Sequence, residues 1–234
     1  MIRATMPTLA LAAAMAATAT PARAADMTTM DGAMSPRTVR VTYENLTSGQ
    51  VFSPAVFMTH DASAPPLFKE GTEASFGLMR IAEEGNAGPL LSAVVVPGIT
   101  GPFGAAVTAI STLPGQTRTV DIEVTAKHPM LSGAWMLVMT NDGFAGVSGV
   151  DAYAMTAPMT MDLMAYEAGT ERNNEQAPYL VARMGTDRDP EGGVVQRHAG
   201  VRGDADLTPE RRFDPDRPVA RVTIAPVMTD QAAR

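Results

Sequence analysis

From Thr38 to Leu46 the chain alternates. Val39, Val41 and Tyr43 fall on one side of an extended backbone, and Arg40, Thr42 and Glu44 on the other. A period of two marks a half-buried strand. The pattern returns at Val120, Ile122 and Val124, set against Thr119, Asp121 and Glu123, and again in VARVTIAPV near the C-terminus. MLSGAWMLVM is instead a continuous apolar run and reads as a central strand. VFSPAVFMTHD is extended, with Pro54 placing it near an edge or a bulge. LLSAVVV, AAVTAIS, GVSGVDAYAM and MTMDLMAYEAG read as further strands, parted by Gly/Pro turns such as PGITGPFG and PGQ. The helical exception is TEASFGLMRIAEEG at 72–85. Thr72 is placed to cap it, Leu78, Ile81 and Ala82 share one face, and Gly85 stops it, which gives one short helix near residues 73–84. Strands spaced by roughly ten residues with Gly/Pro turns specify an all-β fold, an antiparallel β-sandwich.

Composition divides the chain further. Residues 1–24 carry Arg3, an alanine-rich apolar stretch and a small-x-small site at Ala22-Arg23-Ala24, the pattern of a secretory signal peptide. That stretch is short for a membrane span, and no other stretch nears the ~20 apolar residues a spanning helix needs. The expected divisions are a signal peptide at 1–24, a Met-rich lead at 25–37, one domain at 38–228 and a tail at 229–234. The expected location is periplasmic or secreted. The formal net charge is −7; removing residues 1–24 takes away Arg3 and Arg23 and no acid, and brings it to −9. An acidic surface argues against nucleic acid and anionic membranes, and suits divalent cations or basic partners. There is no cysteine, which excludes disulfides, thiol catalysis and Cys-based zinc sites.

Catalytic motifs are absent: there is no GxSxG elbow, no HExxH and no phosphate-cradling Gly-rich loop. Ser53, Ser63 or Ser75 beside His60 would lack a third partner, so the chain is not expected to be an enzyme. A carboxylate-dependent hydrolase stays open as an alternative. Metal chemistry is better supplied. TNDG offers Asp142 beside Asn141, and YEAGTE offers Glu167 and Glu171 across a glycine turn, followed by Asn173, Asn174 and Glu175. Two acidic loops meeting at one end of a sandwich would give the oxygen-rich set calcium requires. Asp and Asn in turns also hydrogen-bond their own backbone, which is the plainer reading. A second alternative is copper, bound by His60, His198 and the thioethers of Met27, Met30 and Met34. Asn45-Leu46-Thr47 fits a glycosylation sequon.

The order VTYENLTSGQVFSP…THD, LFKEGTEASFGLMRIAEEGN, TNDGFAGVSGV, AYEAGTERNNE, RHAGVRGDADLTP and RPVARVTI resembles the spondin domain, over about residues 38–227. It is most similar to exported bacterial proteins carrying that domain alone, and related to the N-terminal domains of F-spondin and mindin. The resemblance implies a sandwich similar to a C2 domain, a calcium ion at one end, and extracellular recognition or adhesion through a protein or glycan ligand. It puts Asp142, Glu167 and Glu171 first as calcium ligands, and Glu123 and Asp151 second. The cysteines and thrombospondin-type repeats of the animal proteins have no counterpart in this sequence, so their partners do not carry over. Where those proteins place an aromatic after the aspartate, this chain has Gly143 and then Phe144.

Overall fold

The computed structural model describes residues 35–94, 103–203 and 205–228. The signal peptide, the three methionines of the lead and the tail at 229–234 lie outside the described residues. Two antiparallel sheets face each other. One is built from β4 (Thr117–Val124), β1 (Arg37–Asn45), β10 (Ala220–Pro226) and β7 (Met159–Leu163), in that spatial order. The other runs β3 (Phe103–Thr108), β2 (Val56–His60), β5 (Met130–Met136), β6 (Gly143–Asp151), β8 (Tyr166–Glu167) and β9 (Gln196–Arg197).

The sheets differ in what covers them. On β1, Val39, Val41 and Tyr43 are buried while Arg40 is exposed and Thr42 and Glu44 are half-buried. The outer face of this sheet is polar. A row of threonines in register, Thr119–Thr42–Thr223–Thr160, crosses all four strands, with hydroxyl contacts of 3.1 and 2.8 Å at its two ends. On β2 every residue is buried, and on β5 all but Met130 are. The reason is a second layer. The inner face packs Tyr43, Phe52, Phe57 and Trp135 between the sheets, with Tyr43 stacked on Trp135 at 5.1 Å. The outer face of the six-stranded sheet packs Val56, Met58, Ala134 and Phe144 under two short helices, α1 (Phe76–Glu84) and α2 (Gly88–Val94). A strand buried on both faces has no reason to alternate.

Two expectations about the helices are corrected. The cap of α1 is Ser75, whose side chain accepts from the Leu78 N–H at 3.2 Å, so the helix starts three residues later than Thr72 would place it. The residues from Gly88 to Val94 form α2 rather than the start of a strand. Asn86 accepts the Gly88 N–H at 2.9 Å and Pro89 sits in the first turn, while Leu90 packs against Gly77 of α1. A short apolar run is ambiguous between strand and helix, and packing on α1 decides it. Residues 95–102, which include most of the PGITGPFG loop, are outside the described residues.

Candidate functional site

β5 ends at Met136 and the chain reverses through residues 137–142 into β6. Thr140 makes the turn, its hydroxyl donating to the Leu137 carbonyl at 2.7 Å and accepting the Gly143 N–H at 2.8 Å. This reversal drives Asp142 inward, and it is wholly buried. β6 then pairs with β8, setting Gly143 opposite Glu167. The loops at 140–143 and 167–171 therefore meet. Asp142 Oδ2 accepts the backbone N–H groups of Thr170 (2.8 Å) and Glu171 (3.2 Å) and lies 3.3 Å from the Thr170 hydroxyl. Asp142 Oδ1 is buried and has no partner. Gly169 makes the approach possible. Its φ is +72°, and a Cβ there would overlap the backbone of Val194.

The other acids of this end serve mainly the loop. Glu167 accepts from the side-chain amides of Asn173 and, at 2.5 Å, Gln196. Glu171 accepts the Asp189 N–H at 2.7 Å. Glu175, held at φ 56°, accepts the N–H groups of Arg202 (2.6 Å) and Gly203 (2.8 Å). Arg188 closes the loop onto α1, 3.0 Å from Glu83, 2.7 Å from Glu84 and 3.7 Å from Glu171. A groove of about 600 Å³ opens between α1 and this loop, lined by Met79, Arg80, Glu83, Thr170, Glu171 and Arg188 among others.

Burial pushes the Asp142 carboxyl up to about 7, against the two backbone N–H groups that favour its charge, and the nearby charges of Glu167 and Glu191 push the same way. Burial also raises Glu167 and Glu171 above the ordinary carboxylate range. Glu191 adds to the effect on Glu167. Sequence reasoning missed Glu191, which lies twenty residues past Glu171 and arrives only because the long loop folds back. Among the described residues, no three acids or histidines stand close enough to chelate one ion with protein side chains alone.

The remaining predicted residues are elsewhere or otherwise engaged. Glu123 lies next to Val124, which pairs with Arg37, and the Arg37 guanidinium donates to the Tyr153 carbonyl at 2.6 Å. Asp151 ends β6 opposite Met130 and accepts the Ala154 N–H at 3.0 Å. Both acids are exposed and sit at the far end of the sandwich, a β6-length of about 25 Å from Asp142. His60 also pairs with Met130 at that far end, whereas His198 packs beside Gly143. The two imidazoles therefore do not share a site. His60 Nδ1 meets the Asp61 carbonyl at 2.9 Å and Nε2 meets Ser132 Oγ at 2.8 Å, all in the sheet interior. Ser53, Ser63 and Ser75 bond instead to Met136, Asp61 and Leu78. Burial lowers His198 to about 4; its Nδ1 accepts the Gly200 N–H at 2.9 Å and its Nε2 has no partner. A side chain on Gly143 would overlap Thr140 and press on His198, so the aromatic of the animal domains has no room at this position. Asn45 of the sequon is buried, donating to the carbonyls of Gln50 (2.7 Å) and Thr112 (3.1 Å).

Fold and site together define an all-β sandwich whose long loops fold into one acid-rich end. The Spondin_N family, the spondin N-terminal domain, matches residues 27–180, and the chain belongs to that family. No curated protein matches the chain.

Proposed function

We propose that this spondin domain works outside the cytoplasm as a non-catalytic recognition module, with calcium bound at its acid-rich end and a protein or glycan ligand met by the loops there. The observation that carries the calcium reading is Asp142 Oδ1, a buried carboxylate oxygen with no hydrogen-bond donor, facing the charges of two further acids. A bare anion in such a place is costly unless something positive answers it. Carboxylate oxygen is the kind of donor a hard cation takes. Asp142 would hold it, with Glu167 and Glu171 within the same loop pair, and backbone carbonyls and waters completing the six to eight oxygens calcium takes. Bound calcium would supply the charge that otherwise has to come from protons. Glu167 and Glu171 are engaged by backbone and amide donors, which supports a structural role over a hydrolytic one. Membership of a family of extracellular, generally non-catalytic domains supports the rest.

Asp142→Asn tests this directly. The substitution keeps the shape and one acceptor but removes the charge. Calcium should raise the melting temperature of the unmodified protein at pH 8 and leave that of D142N unmoved. An equal calcium-induced rise in both would remove Asp142 from the site.

A further inference from the structure

Five arginines of the sheets, α1 and the site loop are neutralised by acids: Arg40 by Asp121, Arg80 by Glu84, Arg172 by Asp189, Arg188 by Glu83 and Glu84, and Arg221 by Asp162. Four other arginines, Arg197, Arg211, Arg212 and Arg217, are held differently. Arg197 donates to the Pro215 carbonyl at 2.7 Å, Arg211 to the Gly49 carbonyl at 2.8 Å, and Arg212 to the Arg202 carbonyl. For Arg217 there is no side-chain hydrogen bond or ion pair among the described residues. None of these four forms an ion pair within the described residues, although the chain as a whole is strongly acidic. A carbonyl fixes a guanidinium in place without cancelling its charge.

Two of the four, Arg212 and Arg217, line a concave site of about 570 Å³ together with Ser48, Asp214 and an apolar floor that includes Leu46, Phe213 and Val219. Its walls are braced. Gln50 donates to the Arg211 carbonyl at 2.6 Å and accepts the Met139 N–H at 3.2 Å. A Cβ on Gly49 would overlap the Glu210 carbonyl, so the turn after β1 and the turn at 209–211 are in intimate contact. Glu175 pins the backbone at 202–203, adjoining Val201 in the same wall. The volume suits a small-molecule site, and braced walls lower the cost of binding.

The lining selects a chemistry. Planar guanidinium forks match a carboxylate. Asp214 beside them disfavours a plain anion but accepts from hydroxyl groups, and Ser48 can do either. The apolar floor suits the C–H face of a ring. We propose that this site binds a hydroxylated carboxylate, the uronic acid unit of an acidic glycan. The inference deepens the recognition reading above and rests on it.

The test is titration of the full chain with glucuronate, with glucose and inorganic sulfate as comparators, in the unmodified protein, R212Q, R217Q and R183Q. Arg183 is exposed and far from the site in sequence, and controls for loss of charge alone. Glucuronate should bind, glucose and sulfate should bind far more weakly, and each of R212Q and R217Q should weaken glucuronate by about tenfold while R183Q does not. Absence of glucuronate binding, equal affinity in R217Q, or sulfate binding as well as glucuronate would each overturn the proposal. A cooperative melting transition, recorded on the same samples with and without calcium, shows that each variant is folded. It also separates the two readings: a retained calcium effect without sugar binding rejects the glycan site alone, and sugar binding without a calcium effect rejects the calcium site alone. Should either glutamine variant unfold, Arg217→Lys keeps the charge but not the fork and should still weaken glucuronate.

Discussion

Asp142 holds its carboxyl where water does not reach, and that has a consequence for pH. Its acidity in the fold lies near 7, against an ordinary value of 3.8. The folded chain then binds more protons than the unfolded chain between those values, so stability falls as pH rises through that window. For this single buried group the loss is on the order of 4 kcal/mol. Glu167 and Glu171 are raised as well and push in the same direction. Asp61, Asp121, Asp162 and Glu210 are lowered and act oppositely, but only where pH falls into the ordinary carboxylate range and below, whereas buried His198, held near 4, acts oppositely up to its ordinary 6.5. Chemical denaturation in chelator should therefore show, from pH 5 to pH 8, a stability slope more negative than that of D142N, in which the opposing contribution of His198 is unchanged. A parallel pH dependence in the two proteins would show that Asp142 is not the group that titrates. Calcium should abolish most of the slope, because an ion takes the place of the protons.

At the scale of elements, the acid-rich end depends on how few residues set its loops. Gly169 turns the 166–171 segment under Val194 with a positive φ, so Gly169→Ala meets both strain and overlap. It should cost roughly 1–3 kcal/mol or more, read by denaturant midpoint. Arg188→Met should free the 186–193 segment from α1, seen as faster amide exchange there with little change in the sandwich core. Ile81, wholly buried beneath the sheet face, anchors α1, and Ile81→Ala should cost about 2–5 kcal/mol. Much of this level was legible in the sequence. β1, β4 and β10 alternate because one face meets solvent, and MLSGAWM does not because helices cover its second face. α2 was hidden by an apolar run short enough to suit either element, although Asn86 and Pro89 signalled a helix start.

At the scale of the molecule, the sequence could place acids on loops but not loops on ends. Asp142, Glu167 and Glu171 come together because β6 pairs with β8, while Glu123 and Asp151 share the opposite end because a strand separates them from the first group. The same distance separates His60 from His198. Glu191, and the four arginines tied to carbonyls or left without a partner, were illegible because segments 172–218 carry little periodicity; only their folding back onto the sheets gives them neighbours. The result is a sandwich with one plain, paired face and one loop-built end that holds the acids around Asp142; Arg212 and Arg217 line a concave site of their own. The central claim is that this end is organised around a calcium ion. Thermal unfolding of the purified protein at pH 8, with calcium and then with excess chelator, tests it most directly. The account predicts a clearly higher melting temperature with calcium, reversed by chelator; equal melting temperatures in the two conditions would contradict it.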